Sequence, residues 1–76
     1  MPPDLRQLPK RFGKAVREAR LEAGLTQMAL AEKAELTLNY VGEVERGEKL
    51  ASIDTAARLA GALGMSAADL LKKAGL

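Results

Sequence analysis

The sequence predicts an all-α domain of five helices, and three observations predict it. Apolar residues recur every three or four positions along most of the chain, and no run of alternating β-branched residues marks a strand. Thr26, Thr37, Ser52 and Ser66 each stand immediately before such a run, where a hydroxyl can accept a hydrogen bond from an otherwise unpaired backbone N–H. Gly24, Gly47 and Gly64 close three of the runs, as helix C-termini favour. Seventy-six residues suffice for one small domain. Its core must come from Ala, Leu, Val and Ile, because the 47% apolar content includes one Tyr, one Phe and no Trp.

Residues 1–8 carry two adjacent prolines and little periodicity. They read as an N-terminal arm with one loose turn around Asp4 to Gln7, and the domain proper is expected over 9–76. Pro9 suits a first helical position, having no N–H to leave unpaired. The first helix then runs to Ala23, with Phe12, Val16, Ala19 and Ala23 inward and Lys10, Arg11, Lys14, Arg17 and Arg20 on its other faces.

The second helix, Gln27 to Ala34, is expected to bury Leu30, Ala31 and Ala34 and to expose Met28, Glu32 and Lys33. A turn of a few residues leads to the third, which ends before Gly47. Leu25 and Leu36, each just ahead of a capping threonine, should fold onto Leu30 and Val41 as hydrophobic staples. Two capped helices so closely joined make a helix-turn-helix. At about 100° per residue, Val41, Val44 and Thr37 share one side of the third helix, and Leu38, Asn39, Gly42, Glu43 and Arg46 share the other. An exposed Gly42 costs that helix about 1 kcal/mol relative to alanine. Close approach of a DNA groove would offset the cost; an ordinary solvated face is the plainer reading.

Ser52 caps a fourth helix with Ile53, Ala56, Leu59, Ala60 and Leu63 inward. Met65, Ser66, Asp69 and Leu70 combine a staple with a capping box at the start of a fifth, and Lys72 and Lys73 complement the dipole at its end.

Composition removes several functions. Without His, Cys or a glycine-rich phosphate loop, catalysis, cofactor binding and metal binding have no residues to carry them. Glu43 and Glu45 lie about 200° apart around one helix and cannot share a site. No apolar run approaches the ~20 residues of a membrane span, and the N-terminus lacks the features of a signal peptide, so the cytoplasm is expected. The net charge of +2 is unevenly spread. Residues 1–24 hold six basic groups against three acids, whereas in 25–49 Glu32, Glu35, Glu43, Glu45 and Glu48 outnumber Lys33, Arg46 and Lys49. For a DNA-reading unit that acidity is awkward, because phosphate neutralisation supplies much of the affinity.

The segments TQMALAEKA and TLNYVGEVERGE resemble the DNA-binding domain of lambda-repressor-like and Cro-like regulators, and most closely the small controller proteins of restriction-modification systems. The resemblance extends over roughly Phe12 to Leu71. It implies a sequence-specific transcription regulator that binds double-stranded operator DNA through helices two and three. It also implies that Arg20 pairs with Glu45, and that Gln27 bonds a phosphate and steadies the start of the recognition helix. The turn position usually held by glycine is Glu35 here, where a left-handed conformation would cost on the order of 1 kcal/mol.

On the positions that meet base edges in similar proteins stand Leu38, Asn39 and Glu43. Asn39 can pair in bidentate fashion with adenine, Leu38 can touch a thymine methyl, and Glu43 can accept from the cytosine amine. Glu43 could instead simply repel phosphates, or pair with Arg46. Gln27, Tyr40, Arg46, Lys49 and Arg17 are the phosphate candidates, with Arg11 as an outer contact; Tyr40 could equally pack on helix two. One recognition helix reads few base pairs, so a homodimer is expected, with Leu71, Ala74 and Leu76 at its seam and the loop before Ser52 beside them. RNA polymerase is a further partner that a regulator allows. The alternatives are a phage repressor or antitoxin-type regulator, or a protein-interaction module on the same fold with weak DNA affinity.

Overall fold

A computed structural model describes residues 4–76. A short 3-10 turn, Leu5–Gln7, leads into α1 (Leu8–Glu22), α2 (Gln27–Ala34), α3 (Leu38–Glu45), α4 (Ile53–Ala62) and α5 (Ala67–Lys73). The start of the arm, residues 1–3, lies outside the described residues. From Asp4 onward the arm is ordered by its own chemistry, since the Asp4 carboxylate accepts from the Arg6 backbone N–H at 3.0 Å and from its guanidinium at 3.1 Å. That pair also holds the Asp4 carboxyl below the usual carboxylate range. Helix α1 starts at Leu8, with Pro9 in its first turn.

All four hydroxyl caps form. Thr26 accepts from the Ala29 N–H at 3.0 Å, Thr37 from Tyr40 at 3.1 Å, Ser52 from Thr55 at 3.2 Å and Ser66 from Asp69 at 3.0 Å. Each satisfies a backbone donor that has no partner inside its own helix, which is why the boundaries fall where the caps are. The turn between α2 and α3 closes through Glu35 in the left-handed region, at φ 57 and ψ 45. A side chain there costs about 1–2 kcal/mol, so this turn keeps the usual geometry at the expense of strain.

Helix α1 packs against α3 and α5, α2 against α3 and α4, and α4 against α5. Phe12, Val16, Leu30, Val41, Val44, Leu59 and Leu70 form the shared core. The α1–α3 crossing is unusually close because Gly13 lies in it. A Cβ at Gly13 would fall inside the contact distance of the Val44 carbonyl oxygen and 2.9 Å from that of Glu45. An interior helical glycine costs about 1 kcal/mol of helix propensity, and here it lets two backbones meet. Helical periodicity alone gives Gly13 no such role.

Five expectations need correction. Ile53 is 91% exposed rather than inward, because it is the first residue of α4 and projects past the end of the core. Ala23 follows the last residue of α1 and is exposed for the same reason. Thr37 is exposed too, its hydroxyl being used as a cap. Gly42 is buried, covered by the side chain of Arg46, the residue that caps the end of α3. Ala74, expected at a dimer seam, is only 6% exposed and belongs to the core, since it caps α5 on the side facing α1.

Candidate nucleic-acid interface

The outward side of α3 is held in place by a polar network at its inner end. Arg20 donates from Nε to Glu45 Oε2 at 2.7 Å and from NH2 to Oε1 at 3.1 Å, while NH1 reaches the Leu25 carbonyl at 2.9 Å. The Gln27 amide nitrogen donates to Glu45 Oε1 at 3.0 Å. The Arg20 and Glu45 side chains are 10% and 2% exposed, so the carboxylate has exchanged water for three fixed donors. This ties the last turn of α1, the loop to α2, the first residue of α2 and the last residue of α3 into one unit. A bidentate guanidinium fixes orientation as well as distance, so the angle between α1 and α3 is specified. Gln27 thus steadies the end of α3 through Glu45, where the resemblance implies a role at its start.

Outward from this network, Leu38 is 46% exposed and Asn39 is exposed beside it on the first turn of α3. Two unpaired side chains there, one apolar and one amide, match what reading a base edge requires. Tyr40 is half-buried, packs against the core, and borders a hollow with Leu36, Thr37 and Thr55.

The C-terminal end of α3 gathers the charges. Glu43, whose side chain is 22% exposed, lies 3.6 Å from the Lys49 ammonium. Arg46 donates to Glu48, not to Glu43, at 2.7 Å and 3.3 Å. The Glu43–Arg46 pair is therefore replaced by two pairs that reach across Gly47 into the following loop. The end of the Arg46 side chain lies against Gly42, where an added Cβ would be 2.9 Å from its NH1. The mid-helix glycine seats an arginine. Hydrogen bonding from Arg46 holds the Glu48 carboxyl below the usual carboxylate range.

The basic residues of α1 divide between its two flanks. At about 100° per residue, Lys10 and Arg17 lie on the side next to α3, about 40–60° from Gly13, whereas Arg11 lies about 160° from it. Lys10 packs against Gly47, and Arg17 is exposed. Arg11 donates to the Gly75 carbonyl at 3.1 Å, on the side facing α5, which takes it away from the outer DNA contact expected of it. Leu71 and Leu76 line an apolar groove of about 220 Å³ with Phe12, Leu50, Ile53 and Ala56. Among the described residues no cluster of three His, Cys, Asp or Glu could hold a metal ion, and no helix is long and apolar enough to cross a membrane.

Comparison with known proteins agrees with this geometry. The helix-turn-helix family model matches residues 16–70. The immunity repressor protein of Bacillus phage phi105 is 37% identical over 59 residues, which cover 78% of this chain and 41% of that protein. The chain thus spans about two fifths of the length of that relative. The crystal structure of the clp gene regulator ClgR from Corynebacterium glutamicum superposes with a TM-score of 0.86 at 38% identity, covering 90% of this chain and 72% of that one. The restriction-modification controller protein C.AhdI from Aeromonas hydrophila superposes at 0.79 with 39% identity, covering 82% of this chain and 94% of that one. The family and these relatives are regulators rather than enzymes. With the caps, the short turn, the buried Arg20–Glu45 pair and the family match all falling on the same segment, the chain belongs to the Cro/C1-type helix-turn-helix family.

Proposed function

We propose that this chain is a sequence-specific transcription regulator that binds operator DNA as a homodimer, in the manner of a restriction-modification controller. The observation that carries the reading is the first turn of α3, where Leu38 and Asn39 stand exposed and unpaired on a helix whose angle is fixed by the Arg20–Glu45–Gln27 network. A rigid helix with free base-reading side chains at its N-terminal end is what docking in the major groove uses. In this reading Asn39 pairs with adenine, Leu38 meets a thymine methyl, and Glu43 accepts from cytosine once Lys49 has exchanged it for a phosphate. Arg46, Lys49, Arg17 and the Tyr40 hydroxyl contact the backbone. Gln27 reaches a phosphate only by giving up, or sharing, its bond to Glu45.

Two copies would join through the groove lined by Leu71 and Leu76, which lies beside the loop leaving α3 and so would set the spacing of the two recognition helices. The cytoplasm is the compartment this function needs, and RNA polymerase is the machinery it acts on, by contact or by exclusion.

The test is Glu43→Gln against a randomised operator library. Cytosine readout predicts a relaxed preference at one base pair per half-site, worth about 1–3 kcal/mol of discrimination. An unchanged preference with uniformly tighter binding means that Glu43 only repels. A second reading, a protein-interaction module with weak DNA affinity, draws on the pairing of Arg46 and Lys49 with glutamates. It predicts binding that barely changes between two salt concentrations, whereas phosphate contacts make affinity fall steeply.

A further inference from the structure

The end of α5 is tied to α1 at two points. Lys73 donates to Glu22 at 2.8 Å, which holds the last full turn of α5 near the end of α1. Arg11 reaches from the other end of α1 to the Gly75 carbonyl at 3.1 Å, a contact between residues 64 apart in sequence. Gly75 turns the chain at φ +83, and the Leu76 N–H then returns to the Leu71 carbonyl at 3.0 Å. This closing turn directs the Leu76 side chain back into the groove beside Leu71 and Phe12. The peptide that Arg11 grips is therefore the one that fixes where Leu76 lies.

The other basic groups near Arg11 have different duties. Lys14 is 4.0 Å from Glu18, and Lys73 is engaged with Glu22. Lys14 and Lys73, which line a cleft with Arg11, thus each face a carboxylate of α1 rather than the Gly75 carbonyl. Arg11 also faces away from the flank of α1 that adjoins α3. A guanidinium bonded to a carbonyl is a charge-assisted contact with a defined direction, stronger than one between neutral partners.

We infer that Arg11 is a positioning residue for self-association, acting through Gly75 and Leu76 to shape the surface that receives a second copy of this chain. The inference rests on the homodimer reading. It makes Arg11 a determinant of dimer strength and removes it from the DNA contacts.

Sedimentation of the full chain measures the dimer dissociation constant for wild type, Arg11→Gln, Arg11→Lys, Leu76→Ala and the Arg11→Gln/Leu76→Ala double variant, with thermal melts establishing that each is folded. Binding to a mixed-sequence duplex is followed across salt concentrations in parallel. Arg11→Gln should weaken the dimer roughly three- to ten-fold, as expected for one charged hydrogen bond in an exposed setting. Arg11→Lys, whose ammonium can still donate to the carbonyl, should recover part of that loss. The double variant should lose little beyond Leu76→Ala alone, because both changes act on one element. The salt slope should stay at its wild-type value. A slope that falls by about one per chain, with an unaltered dimer constant, would overturn the inference in favour of phosphate contact. Fully additive losses in the double variant would overturn it too, since Arg11 would then act by general stability. A wild-type chain that stays monomeric, with and without DNA, defeats the dimer reading itself. A wild-type dimer that Arg11→Gln leaves intact defeats only the role of Arg11.

Discussion

Arg20 and Arg46 grip glutamates in nearly the same way. Arg20 holds Glu45 at 2.7 and 3.1 Å, and Arg46 holds Glu48 at 2.7 and 3.3 Å, each through Nε and NH2. The side chains of the first pair are 10% and 2% exposed, and those of the second 57% and 52%. Geometry does not distinguish them, but solvent does. In the buried pair neither partner can be given up without stranding a charge, so it sets the angle between α1 and α3. In the exposed pair water can replace either partner at little cost, and so can a phosphate. One arginine is therefore part of the frame, and the other is a group on loan to its neighbour.

The largest expected effect tests the frame. Arg20→Met leaves the Glu45 carboxylate buried with Gln27 as its main donor, and urea unfolding should show a loss of about 3–5 kcal/mol. Adding Glu45→Leu should restore much of it, because a buried pair replaced by apolar side chains is often near neutral. A single variant that unfolds like wild type would mean that the buried pair is no more structural than the exposed one.

Next comes the crossing that brings the first pair together. Gly13→Ala places a methyl against the Val44 and Glu45 carbonyls and should cost about 1–3 kcal/mol through overpacking, read from the same denaturation curves. If the two helices tolerate it without loss, the close approach is not what aligns Arg20 with Glu45.

The exposed pair should respond in binding and not in folding. Glu48→Gln should leave the melting temperature in place, tighten binding to DNA of any sequence, and steepen the salt dependence by about one unit per chain as Arg46 loses its competitor. Fluorescence anisotropy across a salt series reads both effects. The smallest effect is a titration. Because Arg46 depresses the Glu48 carboxyl in the folded protein, that pair's contribution is present above the ordinary carboxylate value and fades as pH falls through the lower folded one. Carboxyl NMR should find Glu48 titrating below the ordinary range, and Arg46→Ala should return it there.

What the sequence made legible was local. Thr26, Thr37, Ser52 and Ser66 cap because a hydroxyl reaches only its own next turn, and that can be read without knowing the rest of the fold. Leu30, Val41, Leu59 and Leu70 lie mid-element on inward faces, where periodicity is decisive. Ile53, Ala23 and Ala74 depart from the periodic expectation because they stand at element ends, where exposure depends on which neighbour arrives, not on angle. Gly13 had a signal, a glycine inside a helical run, whose cost asks for a reason. The Glu43–Lys49 and Arg46–Glu48 pairs had none, since both depend on how the chain turns after Gly47. The Arg20–Glu45 pair could be anticipated only from family resemblance, because no periodicity links two separate helices.

Gly42 carries a warning for protein engineering. A programme seeking a more heat-resistant form would choose it early, since alanine gains about 1 kcal/mol of helix propensity and the position has no positive φ to protect. The new methyl would lie 2.9 Å from the Arg46 NH1, so the guanidinium would have to shift and its grip on Glu48 would loosen. Such a variant would score well in every thermal screen while altering how it competes among the countless non-cognate sites of a genome. Selection on stability alone would trade away discrimination without registering the loss.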